Sequence, residues 1–261
     1  MNDNEKHNHH YLPKFYLKRW ANEKNKVWVY KLQVPEENRQ PNPVLVHIDH
    51  VCSEIDLYSI GTDITIENWA NTNIENFCAP VFKRIEKQEP LTIDDVFYSK
   101  SFLALTIARH PMMEDSSNLI LKSILQKEEV INPLAQTVPL RMKANLIALD
   151  KLNLQILYIP DEIDAFFITS DSPFFIIWNI IKEIVAGYEY NQPTFAQIWF
   201  PITPKHLAFI TEGDVSEFYK EISDTNRIQN INAELTSCAQ DILIANNKNL
   251  FEKYPNFIPS S

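Results

Sequence analysis

Apolar and polar positions follow one period near the start of the chain, a second in its middle, and the first again afterwards. Pro13 suits the first turn of a short helix, with Phe15, Tyr16 and Trp20 as its apolar side. Lys26–Leu32 alternates in twos, Trp28, Tyr30 and Leu32 on one face and Val27 and Val29 on the other. That pattern predicts a strand buried on at least one side. Pro35–Pro43 reads as a polar, proline-bounded loop, and Val44–Ile48 and Ile55–Ile60 as further strands. The first 60 residues therefore predict a small helix followed by a β-meander, after a patternless stretch at residues 1–8.

The period then becomes helical. Ile66–Gln88 carries Ile66, Trp69, Ala70, Ile74, Phe77, Val81 and Ile85 near helical spacing, with Pro80 predicted to kink or split the helix. Thr92 with Asp95 forms a helix-start box, because the hydroxyl can cap a free N–H while the acid suits the first turn. The helix it opens runs to about His110, where Pro111 stops it. Further helices are predicted at Ser117–Glu128 and Asn132–Leu149. Beyond Lys151 short β-rich runs return at Leu152–Ile159, Ala165–Thr169, Phe174–Trp178, Ala196–Pro201 and His206–Ile210. Val215–Ile244 predicts one or two helices on Phe218, Ile222, Ile228, Ile231 and Leu235, and Tyr254–Ser261 reads as loose. Segregated strands and helices argue an α+β fold. The expectation is a single domain with an N-terminal β-rich part (9–60), a central helical bundle (61–150), a part with a small antiparallel sheet and closing helices (151–246), and a tail (247–261).

Composition narrows the chemistry. With 261 residues the chain is long enough for a real core. It has 16 prolines but only 3 glycines, and Gly61, Gly187 and Gly213 stand far apart. Phosphate-cradling loops need several glycines close together, so nucleotide-loop folds are excluded. The net charge of −10 argues against non-specific coating of nucleic acid. The first 31 residues run the other way, with Lys6, Lys14, Lys18, Arg19, Lys24, Lys26 and Lys31 against Asp3, Glu5 and Glu23. A nucleic acid or nucleotide would meet that basic block, and a protein partner the acidic remainder. Cys52, Cys78 and Cys238 have neither zinc-site spacing nor a disulfide framework, which fits a reducing compartment. The longest apolar run, Ser172–Val185, is broken by Asn179, Lys182 and Glu183 and is too short and polar to span a bilayer. No membrane role and a cytoplasmic location are expected.

Several blocks taken in order carry a resemblance. His9–Trp20 (HHYLPKFYLKRW) resembles the HHYVPxFYLRRF opening of the family called domain of unknown function 4238. Val27–Tyr30, Glu54–Tyr58, Ile74–Glu75 and Arg109–His110–Pro111 are similar to its later steps, as are Ser170–Pro173, Phe200–Pro204 and the helix around Asn232. Trp20 stands where the family has Phe, and His110 where it has Thr. The likeness runs from about residue 9 to 246. It implies a biological context, bacterial defence against phage, and no mechanism.

The polar residues of these blocks are the candidates for chemistry. His10 can serve as general acid/base or metal ligand, or as a helix-entry contact. Arg19 can clamp a phosphate, or pair with Glu75 or Asp56. Arg109 lies late in an apolar helix, so its guanidinium calls for a carboxylate, Glu75 or Asp171. Glu67 and Glu75, eight positions apart, project about 80° from each other on a helix and do not share a face; Glu75 is the better choice. Asp171 follows a strand and precedes Pro173, which fits a site residue or a turn. His47, Asp49 and His50 make a geometrically poor metal clip. Two readings stand. In one the chain is a hydrolase, a nuclease or nucleotide hydrolase. His10, Arg19, Glu75, Arg109 and Asp171 then surround one cleft, with a divalent metal as a candidate cofactor. In the other it is a sensor or interaction module, and the same residues form an internal ion-pair network.

Overall fold

Helices and strands segregate along the chain as the two periods predict, and the protein is α+β. A computed structural model describes residues 8–32, 43–55, 57, 65–125, 132–185 and 188–253. In chain order the elements are β1 (Asn8–His10), α1 (Lys14–Leu17), β2 (Lys26–Lys31), β3 (Val44–His47), a 3-10 turn (Ile48–His50), β4 (Ser53–Ile55), α2 (Thr65–Ala70), a π-turn (Asn71–Glu75), α3 (Asn76–Glu86), α4 (Ile93–Ala108), α5 (Glu114–Leu125), α6 (Pro133–Asp150), β5 (Asn153–Tyr158), β6 (Thr169–Ser170), β7 (Phe175–Val185), β8 (Tyr188–Thr203), β9 (His206–Thr211), β10 (Tyr219–Glu221), α7 (Thr225–Ser237), β11 (Ile242–Ala245) and α8 (Asn249–Lys253). They divide between two compact units, one within Met1–Lys18 and His47–Ile147, the other within Arg19–Val46 and Ala148–Ser261. The basic opening therefore contributes to both.

The first unit is mainly helical. Pro13, with φ −62°, precedes α1, which is only four residues long and buries Tyr16 and Leu17 completely. Upstream, β1 pairs antiparallel with β4, His10 opposite Ser53, and the Tyr11 N–H donates to the Cys52 carbonyl at 3.1 Å. Pro80 neither splits nor ends its helix. It has no N–H for the Asn76 carbonyl, and the helical run takes a wide π-turn just before Asn76, whose own N–H reaches back to the Asn71 carbonyl. The extra residue shifts the apolar stripe. Ala70, Ile74, Cys78, Val81, Phe82 and Ile85 are buried, while Trp69 and Phe77 are exposed and Phe77 stacks on Tyr98.

The capping box forms as the sequence predicts. The Asp95 N–H donates to Thr92 Oγ1 at 3.2 Å and the Thr92 N–H to Asp95 Oδ2 at 2.9 Å, with Arg84 paired to the other oxygen. Burial pushes the Asp95 carboxyl up, but the bonds from Thr92 and Arg84 outweigh it and leave the group below its usual value. From Ser99 to Ala108 every residue of α4 is buried, so this helix is the axis of the unit.

The second unit holds two sheets. One has the order β10–β5–β9–β8–β7, antiparallel except for β10 beside β5. The other runs β3–β2–β11–β6. Val27 and Val29 are buried in β2 as the alternation predicts. Only the β2–β3 step of the expected N-terminal meander forms: β4 pairs with β1, and β2 takes its other neighbour from the far end of the chain, Trp28 opposite Ala245 and Tyr30 opposite Leu243. The helix expected through Ile244 ends at Ser237. Ile242–Ala245 is a central strand, and Phe218 and Ile222 flank β10, where backbone bonds to β5 replace helical ones. The runs expected at 174–178 and 196–201 are parts of two long strands, β7 and β8. The readings made for residues 1–7, most of Pro35–Pro43 and Ile55–Ile60, residues 126–128 and Tyr254–Ser261, together with Asp56 and the Glu67 side chain, lie outside the described residues. Among the described residues no helix is long and apolar enough to cross a membrane.

Because the Thr92 hydroxyl satisfies a first-turn amide of the central helix, Thr92→Ala is expected to lower stability by about 1 kcal/mol. Urea denaturation of the two proteins measures it; an unchanged midpoint would mean the cap contributes nothing.

Candidate functional site

Rings anchor the start of the chain to the helices of the first unit. Phe15 on α1 packs 5.2 Å from Phe102 of α4 and 5.8 Å from Phe82 of α3, whose own rings are 5.2 Å apart. Tyr11 meets His110, just past α4, edge-on at 5.6 Å. These contacts bring the opening block alongside the π-turn and the end of α4. A cavity of about 250 Å³ lies there, lined by His10, Pro13, Lys14, Phe15, Asn71, Glu75, Asn76, Ala79 and Arg109.

The π-turn decides which side chains reach this cavity. In a regular α-helix positions 71 and 76 would project about 140° apart. Here the Asn76 N–H bonds directly to the Asn71 carbonyl, so Asn71, Glu75 and Asn76 all line the same space. Single π-turns are often found at functional sites for this reason.

Electrostatics around the cavity are paired. Arg109 Nη1 donates to Glu75 Oε1 at 2.6 Å, with 4% and 15% of the two side chains exposed. Lys14 Nζ lies 2.6 Å from Asp49 Oδ1, and this pair is open to solvent, at 54% and 45% exposure. The hydrogen bond from Lys14 holds the Asp49 carboxyl below its usual value. His10 is buried, and its Nε2 lies 3.2 Å from the Ile48 carbonyl, which can only accept, so the proton is assigned to Nε2. Burial lowers the His10 pKa below its usual 6.5; the bond to Ile48 opposes this, and the charges of Lys14 and Arg109 reinforce it. At neutral pH His10 is therefore an uncharged imidazole, and its Nδ1 carries a lone pair. A neutral base beside two cations is an arrangement suited to acid/base chemistry on an anionic substrate.

Three of the five candidate residues, His10, Glu75 and Arg109, share this cavity. Of the two carboxylates open to Arg109, it meets Glu75. Arg19 and Asp171 belong to the other unit. Arg19 precedes the fully buried Trp20. Asp171 accepts three backbone N–H groups, from Gln240 at 2.9 Å, Asp241 at 2.7 Å and Ile242 at 3.2 Å, and so fastens the start of β11. Burial pushes its carboxyl up, and the three bonds offset only part of that. The local turn belongs to Ser170, whose hydroxyl bonds the Ser172 backbone at both ends. His47 and Asp49 lie 3.2 Å apart, the latter engaged by Lys14. Among the described residues no three His, Cys, Asp or Glu side chains gather as a metal site would require.

Four further lining residues lie outside the five candidates: Lys14, expected only as part of the basic block, Phe15, expected only as an apolar side of α1, and Asn71 and Asn76. The signal for the asparagines was present in the run Asn71–Thr72–Asn73–Ile74–Glu75–Asn76, which puts three asparagines and a threonine, all poor helix formers, inside an otherwise periodic helix.

A family model described as "Protein of unknown function (DUF4238)" matches residues 8–249. No curated protein and no solved structure matches the chain.

Two outcomes follow from the geometry. Asp171→Ala strands three backbone donors and is expected to cost on the order of 3 kcal/mol, read by chemical denaturation. A loss below about 0.5 kcal/mol would remove its structural role. For His10 the folded pKa lies below the unfolded one, so the unfolded chain binds the extra proton first. Acidification from pH 7 past 6.5 then destabilises the fold until the folded pKa is passed. Melting temperatures followed over this range should fall less steeply for His10→Gln than for the parent chain; parallel curves would mean His10 is not held neutral.

Proposed function

The chain belongs to the DUF4238 family, and on that footing we propose that the cavity beside α1 is the active site of a hydrolase acting on phosphate esters, as a nuclease or nucleotide hydrolase. The observation that supports this is the neutral His10 imidazole opening on the same small space as Lys14 and Arg109. The family suggests the context, defence against phage.

In this reading His10 Nδ1 takes the proton of an attacking water and returns it to the leaving oxygen. Arg109, held in place by Glu75, presents a fixed donor plane to the phosphate. Lys14 supplies the second positive charge. Its bond to Asp49 is solvent-exposed and therefore weak, so an incoming phosphate can replace the carboxylate at small cost. The Glu75–Arg109 pair is buried and stays closed.

The pairing itself favours a second reading, a sensor or protein-interaction module. Both cations already face a carboxylate, as an internal network would have them. Arg109→Ala cannot separate the two, because breaking a buried pair costs about 3–5 kcal/mol in either. His10→Gln can, since Gln keeps a donor for the Ile48 carbonyl but has no titrating nitrogen. The enzyme reading expects hydrolysis of RNA, DNA or nucleoside triphosphates to fall at least about 100-fold, together with phage protection, at a melting temperature within a few degrees of the parent chain. Lys14→Ala should raise KM more than it lowers kcat. Full phage protection by the His10→Gln protein would overturn the enzyme reading and leave the module.

A further inference from the structure

The cavity has an uncharged side that phosphate chemistry does not use, formed by Phe15, Asn71 and Asn76. Phe15 is half-buried and its ring packs against both Phe82 and Phe102, so its place at the cavity is set by the core. A ring positioned in this way is a platform on which a planar heterocycle stacks. Asn71 and Asn76 are exposed at the same cavity, brought to one side by the π-turn. A carboxamide offers a donor and an acceptor side by side, the pattern that complements the edge of a nucleobase. Phosphate alone would call for further cations or backbone amides there.

Size limits what enters. Pockets that enclose a drug-sized molecule have ~300–1,000 Å³, and this one has about 250 Å³. It holds one ring system with its phosphate and cannot hold a base pair.

Resting on the reading of this cavity as the active site, we propose that its substrate is a single unpaired nucleotide. The base lies against Phe15 and is read by Asn71 and Asn76, and the phosphate lies at Lys14 and Arg109. The unit can be a free nucleotide or one residue of a single strand.

Isothermal titration of the full chain with the four ribonucleoside monophosphates, ribose 5-phosphate and inorganic phosphate tests the base subsite. At least one monophosphate should bind tenfold or more tightly than ribose 5-phosphate. Asn71→Ala/Asn76→Ala, two exposed changes that leave the core intact, should cut that ratio about tenfold and leave the Kd of ribose 5-phosphate unchanged. A single-stranded tetranucleotide and a blunt duplex separate the two sources. Binding of the single strand but not the duplex supports a nucleic-acid unit, and binding of mononucleotides alone supports a free nucleotide. Ribose 5-phosphate binding as tightly as every monophosphate, or a duplex binding as well as the single strand, overturns base reading while phosphate-ester hydrolysis stands. If hydrolysis is also absent and none of these probes binds, the active-site reading falls with it.

Discussion

A guanidinium with 4% of its side chain exposed needs a carboxylate, and the rest of the first unit is arranged around meeting that need for Arg109. Arg109 ends a helix that is buried from Ser99 onward, so the charge has no path to solvent along its own element. Its partner comes from the π-turn 34 positions earlier in the chain. The pair therefore ties the end of α4 to the one irregular turn of the α2–α3 run. Any chemistry at that point inherits a fixed cation.

Two further constraints complete the cavity, and both are matters of shape. Pro80 cannot continue regular α-hydrogen bonding, and the wide turn before Asn76 accommodates it. That turn carries Asn71, Glu75 and Asn76 to a common side. The rings of α1, wedged against Phe82 and Phe102, then bring His10 and Lys14 to face them. A four-residue helix has little stability of its own, so packing of its aromatic face holds this wall in place.

The charge pattern of the opening block takes on a different meaning in the fold. Its basic residues are shared between the two units, Lys14 and Lys18 in the first and Arg19, Lys24, Lys26 and Lys31 in the second. Among the described ones Lys14 alone lines the cavity, and it is partnered by Asp49. Arg109 is balanced by Glu75, and burial keeps His10 uncharged. The result is a cavity with polar definition but modest net charge.

Features set by neighbours in the chain were legible in the sequence: the Thr92–Asp95 box, the span of α4, the buried Val27 and Val29, and the α+β order. So was the family resemblance, whose successive blocks singled out His10, Arg19, Glu75, Arg109 and Asp171 without showing which of them meet. Local periodicity does not carry pairing between distant segments. Ile242–Ile244 reads as the end of a helix until β2 claims it as a strand, and Asp171 reads as a site residue or a turn until three amides from the other end of the chain take its oxygens. The choice of Glu75 for Arg109 and the exposure of Phe77 depended on the π-turn, which places side chains where no regular helical wheel would put them. By itself the sequence determined which side chains were capable of chemistry. Only the tertiary structure decided which of them share a cavity, because that depends on burying Arg109 and packing α1 rather than on any spacing along the chain.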